Sequence, residues 1–157
     1  ALFAEARALY ERVQREGPQL DPGGRNLTMS LFAGAEANLR LGRFDAARDH
    51  SDAALAIVRP ALAAAPDDAV QQRRCGQQLV LRGRIEAAAG GDAAPFLAEG
   101  LALLEPLAEG PGADPLVLQA IAWARLESGD LKGAREAFQR MPAALRKPPL
   151  SERLAEP

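Results

Sequence analysis

The sequence predicts an all-α protein of about seven helices that pair into antiparallel hairpins. Hydrophobic residues make up 48% of its 157 residues, whereas aromatic residues make up only 4%. The apolar surplus is alanine, the best helix former, while the β-branched and aromatic residues that favour strands are scarce. A second observation, an internal repeat of about 41–43 residues, indicates that the hairpins follow one another along the chain.

The repeat is visible as a short motif in which a bulky apolar residue is followed, three positions later, by Ala-Arg. Copies begin at Phe3, Phe44 and Leu131. The gap between the second and third copies leaves room for one more, and a degenerate copy lies at residues 88–96. Self-similarity at a fixed period is typical of stacked helical repeats.

A glycine stands just before the second helix of each unit, at Gly42, at Gly90-Gly91 and at Gly129. Glycine suits such turns because one residue of a tight connection between antiparallel helices adopts a positive φ. Reading outward from these turns predicts helices at about 1–16, 26–41, 44–65, 68–89, 94–109, 114–128 and 131–141. Pro60 and Pro106 fall inside this pattern, so each is expected to kink or break its helix.

These elements predict one repeat domain over residues 1–142. It begins with the second helix of a truncated unit at 1–18 and continues with units at about 26–66, 68–110 and 114–142. A Pro-rich C-terminal tail is expected at 143–157. The chain starts with Ala1 and not with a methionine, and it carries no signal-peptide pattern. A piece cut from a longer protein would look the same.

The residues of the repeat resemble the tetratricopeptide repeat superfamily. The last unit is similar to that family at its large, small and turn positions, which are Leu118, Ile121, Ala122, Gly129, Asp130, Ala134, Phe138 and Met141. The 31–54 stretch departs from the pattern with Ser51 at a usually aromatic position, and the middle unit has Pro95 or Phe96 near a usual alanine. More weakly, residues 69–141 resemble the repeat tails of some bacterial serine/threonine kinases and signalling regulators.

The resemblance implies a right-handed α-solenoid that binds a peptide segment or a partner helix in a concave groove. In this family the first helix of each unit lines that groove. Counting back from the turn glycines, we expect the groove to be lined by Phe32, Glu36, Arg40, Gln77, Arg84, Gln119, Trp123 and Glu127, with Met29, Leu39, Val80, Leu116 and Leu126 on the same face. Trp123 has two interpretations, a groove anchor or a residue packed between hairpins.

Other occupants of the groove stay open at this point. The chain's own segment 146–150 or a second copy of the protein could fill it, so a homo-oligomer is possible. The alternative function is a regulatory or sensor module of a larger bacterial signalling protein that acts by self-association.

Charge and apolar patterning narrow the class of partner. The 19 basic and 21 acidic residues are interspersed and give a net charge of −2 with a pI of about 5.5, whereas nucleic-acid binders carry a basic face. No apolar run approaches the roughly 18 residues of a membrane span. We therefore expect a protein or peptide partner, no nucleic acid, no membrane insertion and a cytoplasmic location.

Catalytic and metal-binding residues are few. His50 is the single histidine and Cys75 the single cysteine, so a structural zinc site is excluded. We expect His50 to be a solvated surface residue, Cys75 to be a small buried hydrophobe, and the protein to be no enzyme and to need no cofactor. An acid-based enzyme is the second hypothesis, because carboxylates are plentiful, among them Glu5, Glu11, Glu99, Glu105 and Glu136.

Overall fold

The computed structural model describes residues 24–110, 112–146 and 148–155, together with positions 5, 8, 12, 15 and 16. The predicted truncated unit at 1–18 falls mostly outside them. Within the described ranges all regular structure is helical, which confirms the all-α prediction. The helices are α1 (Arg25–Arg40), α2 (Phe44–Ala64), α3 (Ala69–Ala89), α4 (Ala94–Leu104), α5 (Pro115–Glu127), α6 (Leu131–Arg140) and α7 (Leu150–Ala155), with 3-10 turns at Pro106–Ala108 and Ala143–Leu145.

Glycines with a positive φ form the turns between paired helices. Gly42, Gly90 and Gly129 have φ values of 68°, 73° and 83°. Because Gly90 rather than Gly91 takes this conformation, the register of the middle hairpin is fixed.

Aspartates begin three of the helices that follow a loop or turn. The carboxylates of Asp68, Asp114 and Asp130 each accept a hydrogen bond from a backbone N–H two or three residues later, at 2.7, 2.8 and 2.9 Å. A short side-chain acceptor at this position satisfies an N–H that has no partner inside the helix. The starts of α3, α5 and α6 are therefore defined locally by the sequence.

The two internal prolines behave differently. Helix α2 continues through Pro60 as one helix. Pro60 and Ala56, whose carbonyl the missing N–H would have bonded, are both exposed, so water can satisfy that carbonyl. Pro106 instead lies beyond α4, which ends at Leu104 and not at the predicted residue 109.

Neighbouring helices pack in chain order, and α3 lies at the centre. Helix α3 contacts α1, α2, α4 and α5, while α6 contacts α5 and α7. Small residues let α3 and α4 approach closely: a Cβ added at Gly100 would lie 2.9 Å from Val80 Cγ2 and 3.2 Å from the Gly76 carbonyl oxygen. The first helices of the three hairpins, α1, α3 and α5, are consequently consecutive neighbours.

The segment predicted as a Pro-rich tail is partly ordered into α7. Leu150 and Leu154 are buried in the same core cluster as Trp123, Ala134 and Met141. Their spacing of four residues puts both leucines on one face of the helix. The C-terminal segment thus covers the last hairpin.

Candidate functional site

We call the side of α1, α3 and α5 that carries the predicted groove residues the first-helix face. Three of these residues stand at the same distance along the chain before their turn glycines: Glu36, Arg84 and Trp123. The structure brings them together. Arg84 Nη1 lies 3.7 Å from Glu36 Oε1, and the Arg84 guanidinium carbon lies 3.9 Å from the centre of the Trp123 ring. A continuous row of contacts, from Glu36 through Arg84 to Trp123, therefore runs across three helices.

Arg84 lies at the centre of this row of contacts. Its side chain is only 10% exposed. Burial lowers the pKa of the Arg84 guanidinium, and the carboxylates of Glu36 and Glu127 act against that change. Because a guanidinium stays charged in proteins, Arg84 places a fixed positive charge between a carboxylate and an aromatic ring.

Trp123 is 7% exposed and belongs to the core cluster of the last hairpin. Of its two interpretations, packing is therefore the one that matches its burial. A second guanidinium also lies near the ring, since the carbon of Arg153 in α7 is 5.7 Å from its centre. Arg153 Nη1 lies 2.7 Å from Glu127 Oε1, so α7 covers both predicted groove residues of this end.

The sequence pattern did not predict the contact of Arg153 with Trp123 and Glu127, because Arg153 lies in the segment interpreted as a tail. A signal was present. Leu150 and Leu154 are four residues apart, as on one face of a helix, and Arg153 is adjacent to the second leucine. The contact with Trp123 joins residues far apart in the chain, and helical periodicity carries no information about such a contact.

The other predicted groove residues differ in accessibility. Phe32 is half-buried against the cluster of Ala35, Ala47, Leu81 and Ile85, so its ring is shared between the core and the face. Gln77 and Gln119 are half-buried, and Arg40 is exposed, with Nη2 3.5 Å from Glu36. Val80, expected on the face, is buried in the core.

The other end of the first-helix face, around Met29 and Leu116, carries exposed apolar side chains. Met29 of α1 is 60% exposed and Leu116 of α5 is 58% exposed. Two turns further along their helices, on the same stripe, lie Glu36 and Trp123. Polar contacts hold α3 to both neighbours at this end, since Arg74 donates to Thr28 at 2.7 Å and Arg73 to Asp114 at 2.5 Å.

The residues considered for catalysis lie elsewhere. His50 is half-buried, not a solvated surface residue as predicted, because Gly34 leaves room for its ring: a Cβ at Gly34 would lie 2.5 Å from His50 Cδ2. Its Nδ1 hydrogen-bonds with the Ala46 carbonyl at 2.7 Å, and its buried Nε2 has no partner within the described part. Cys75 is fully buried, as predicted, and burial raises the pKa of its thiol.

The described residues offer no metal-binding cluster, and a small cavity lies among them. They contain no cluster of three or more His, Cys, Asp or Glu side chains placed to hold a metal ion. A small cavity of about 140 Å³ lies away from the first-helix face, between α5, α6 and the Pro106–Ala108 turn. Arg125 and Glu105 line it and pair with each other at 2.8 Å.

Comparison of the chain with protein-family models, with curated proteins and with solved structures gives no match. Among the helices that the structure describes, none is long and apolar enough to cross a membrane.

Proposed function

We propose that this protein is a protein-binding scaffold of the tetratricopeptide-repeat type, a right-handed solenoid whose partner docks on the first-helix face. The partner is a peptide segment or a helix of another protein. The observation that carries the proposal is the pair Met29 and Leu116, two large apolar side chains left mostly exposed on equivalent parts of α1 and α5.

Several features of the face support a binding role. Exposed apolar side chains surrounded by polar ones are typical of protein-interaction surfaces. Gln77 of α3 lies on the same face between the two apolar residues and is half-buried, so it can hydrogen-bond to a partner backbone. The row of contacts from Glu36 through Arg84 to Trp123 orients the three helices, so that residues at equivalent positions face the same way.

A displayed library of random 15-residue peptides provides the test. We expect enriched peptides to bind the wild-type chain and to lose affinity at least about tenfold when Leu116→Glu or Met29→Glu is introduced, since interface anchors contribute about 1.4 kcal/mol or more. The matched control is Leu41→Glu, which alters an equally exposed leucine (63%) at the turn after α1. Equal loss in the control, or no enrichment at all, would refute the proposal.

The self-association alternative uses the same exposed residues. If a second copy covers Met29 and Leu116, light scattering should show a dimer of the wild-type chain that Leu116→Glu converts to a monomer. A monomeric wild type would leave the heterologous partner as the explanation of this face.

A further inference from the structure

One end of the first-helix face, at Trp123 and Glu127, is already covered by a segment of the chain itself. Helix α7 lies over Trp123 and Glu127, and its contacts use three side chains. Leu150 and Leu154 enter the core cluster that contains Trp123, and Arg153 pairs with Glu127 at 2.7 Å while its guanidinium carbon lies 5.7 Å from the indole centre. Arg135 of α6 also donates from Nε to the Leu154 carbonyl at 3.1 Å.

Helix α7 is short and buries few side chains. It has six residues, and isolated helices shorter than about 12–15 residues are marginal in water. Among those six residues only the two leucines are buried, and Pro148 and Pro149 just before them are exposed. A segment held by so few buried contacts belongs to the part of a protein that opens locally before the core does.

We infer that the surface around Trp123 and Glu127 is a docking site for a short amphipathic helix with one basic residue on its buried side. Helix α7 fills this site in cis, and a helix of a partner protein fills it in trans. The pattern it selects is an apolar residue, then Arg or Lys three positions later, then a second apolar residue. The inference deepens the proposed function and rests on it, because it adds a partner class and a release step to one end of the same face.

Each part of this pattern follows from a contact. The two apolar positions, four residues apart, occupy the cluster that Leu150 and Leu154 now fill. The basic position faces the Glu127 carboxylate and the indole ring, which together favour a cation by ion pairing and cation–π attraction. Arginine suits this position better than lysine, because its planar group can stack on the ring while it pairs with the carboxylate.

The test uses the full chain and a labelled synthetic peptide of residues 143–157 as the probe. Leu154→Asp should release α7, after which the peptide, measured by fluorescence anisotropy, should bind at least about tenfold more tightly than it binds the wild type, whose site is occupied. Trp123 is the single tryptophan, so its emission should shift to the red on release and return when the peptide binds. Glu152→Gln, on the exposed side of α7, is the matched control and should behave as wild type.

A second variant guards against simple unfolding. Arg153→Glu changes an exposed residue and removes the ion pair with Glu127 and the cation near the Trp123 ring, without replacing a buried side chain. It should also raise peptide affinity, and a peptide carrying the same Arg153→Glu change should bind every variant at least about tenfold more weakly. If both variants lose the cooperative unfolding of the wild type, or if both keep its Trp123 emission and peptide affinity, the inference is wrong.

Two further outcomes separate this inference from the proposed function. A wild-type dimer that Leu154→Asp converts to a monomer would show that α7 is exchanged between copies, which would overturn occupancy in cis. Library peptides enriched on the Leu154→Asp variant should carry the apolar, basic, apolar pattern. Enrichment that depends on Leu116 but lacks this pattern would preserve the proposed function and refute the inference alone. Binding of the 143–157 peptide without Leu116-dependent enrichment would refute the proposed function and preserve the docking site of α7.

Discussion

Glu86 of α3 accepts two hydrogen bonds from the Arg48 guanidinium of α2, whose Nε and Nη2 each lie 3.0 Å from a carboxylate oxygen. Arg82, one helical turn earlier, brings its Nη2 to 2.9 Å from the same carboxylate. Glu86 is only 8% exposed. Because a buried carboxylate is tolerated when it is paired and hydrogen-bonded, this cluster joins the first hairpin to the second.

Removing the charge of Glu86 should therefore weaken the contact between hairpins. We expect Glu86→Gln to lower the free energy of unfolding by roughly 1.5–3 kcal/mol, since hydrogen bonds to charged groups contribute about that much. Urea unfolding followed by circular dichroism measures the change. Lys132→Gln breaks an exposed pair at 3.9 Å and should cost less than about 1 kcal/mol, so equal losses in the two variants would contradict this account.

The same cluster predicts a pH dependence. The hydrogen bond from Arg48, together with the charge of Arg82, lowers the pKa of the Glu86 carboxyl in the folded chain although burial acts the other way. A folded-state pKa below the unfolded value, about 4.3 for Glu, stabilises the fold above that pH, and this contribution is lost as pH falls through the folded-state pKa. The stability difference between wild type and Glu86→Gln should be complete at pH 6 and shrink below about pH 4. A difference that grows on acidification would contradict the assigned pairing.

A third prediction concerns the close approach of α3 and α4. A Cβ at Gly100 would meet Val80 Cγ2 at 2.9 Å, the Gly76 carbonyl oxygen at 3.2 Å and the Val80 nitrogen at 3.3 Å. Two of these neighbours are backbone atoms, which yield only if a helix moves. We expect Gly100→Ala to lower the unfolding free energy by about 1–2 kcal/mol, because overpacking outweighs the roughly 1 kcal/mol that alanine gains in helix propensity.

Thermal and urea unfolding test this substitution against Gly112→Ala. Gly112 lies outside the left-handed range of φ and has open space where a Cβ would be, so its replacement should be neutral or slightly stabilising. If Gly100→Ala stabilised the chain as much as the control, the α3–α4 separation would be larger than the structure has it.

Local features of the sequence explain which elements could be predicted. The turn glycines could be found because positive φ is a property of one residue, and the offsets from Gly42, Gly90 and Gly129 identified Glu36, Arg84 and Trp123 as members of one row. The burial of Trp123 could not be found in the same way. Helix α7 takes part in the core cluster of Trp123 and brings Arg153 near its ring from thirty residues further along the chain, and periodicity alone does not say which surface a short amphipathic segment covers.

The last prediction tests whether Arg84 holds the row together by its shape or only by its charge. Its guanidinium carbon lies 3.9 Å from the centre of the Trp123 ring while Nη1 is 3.7 Å from Glu36. Arg84→Lys keeps a positive charge but loses the planar group that stacks on the indole. We expect it to lower the unfolding free energy by roughly 1–2 kcal/mol, the range of a desolvated cation–π contact, and to shift Trp123 emission.

Arg40→Lys is the matched control, because Arg40 also pairs with Glu36, at 3.5 Å, but its side chain is 62% exposed and does not stack on an aromatic ring of the described residues. Its effect on the urea midpoint should be close to zero, since exposed pairs contribute little. If the two variants unfold at the same urea concentration as the wild type, stacking on Trp123 adds nothing measurable. The alignment of α1, α3 and α5 would then depend on apolar packing alone, and the row of contacts from Glu36 through Arg84 to Trp123 would be a consequence of that packing instead of a cause.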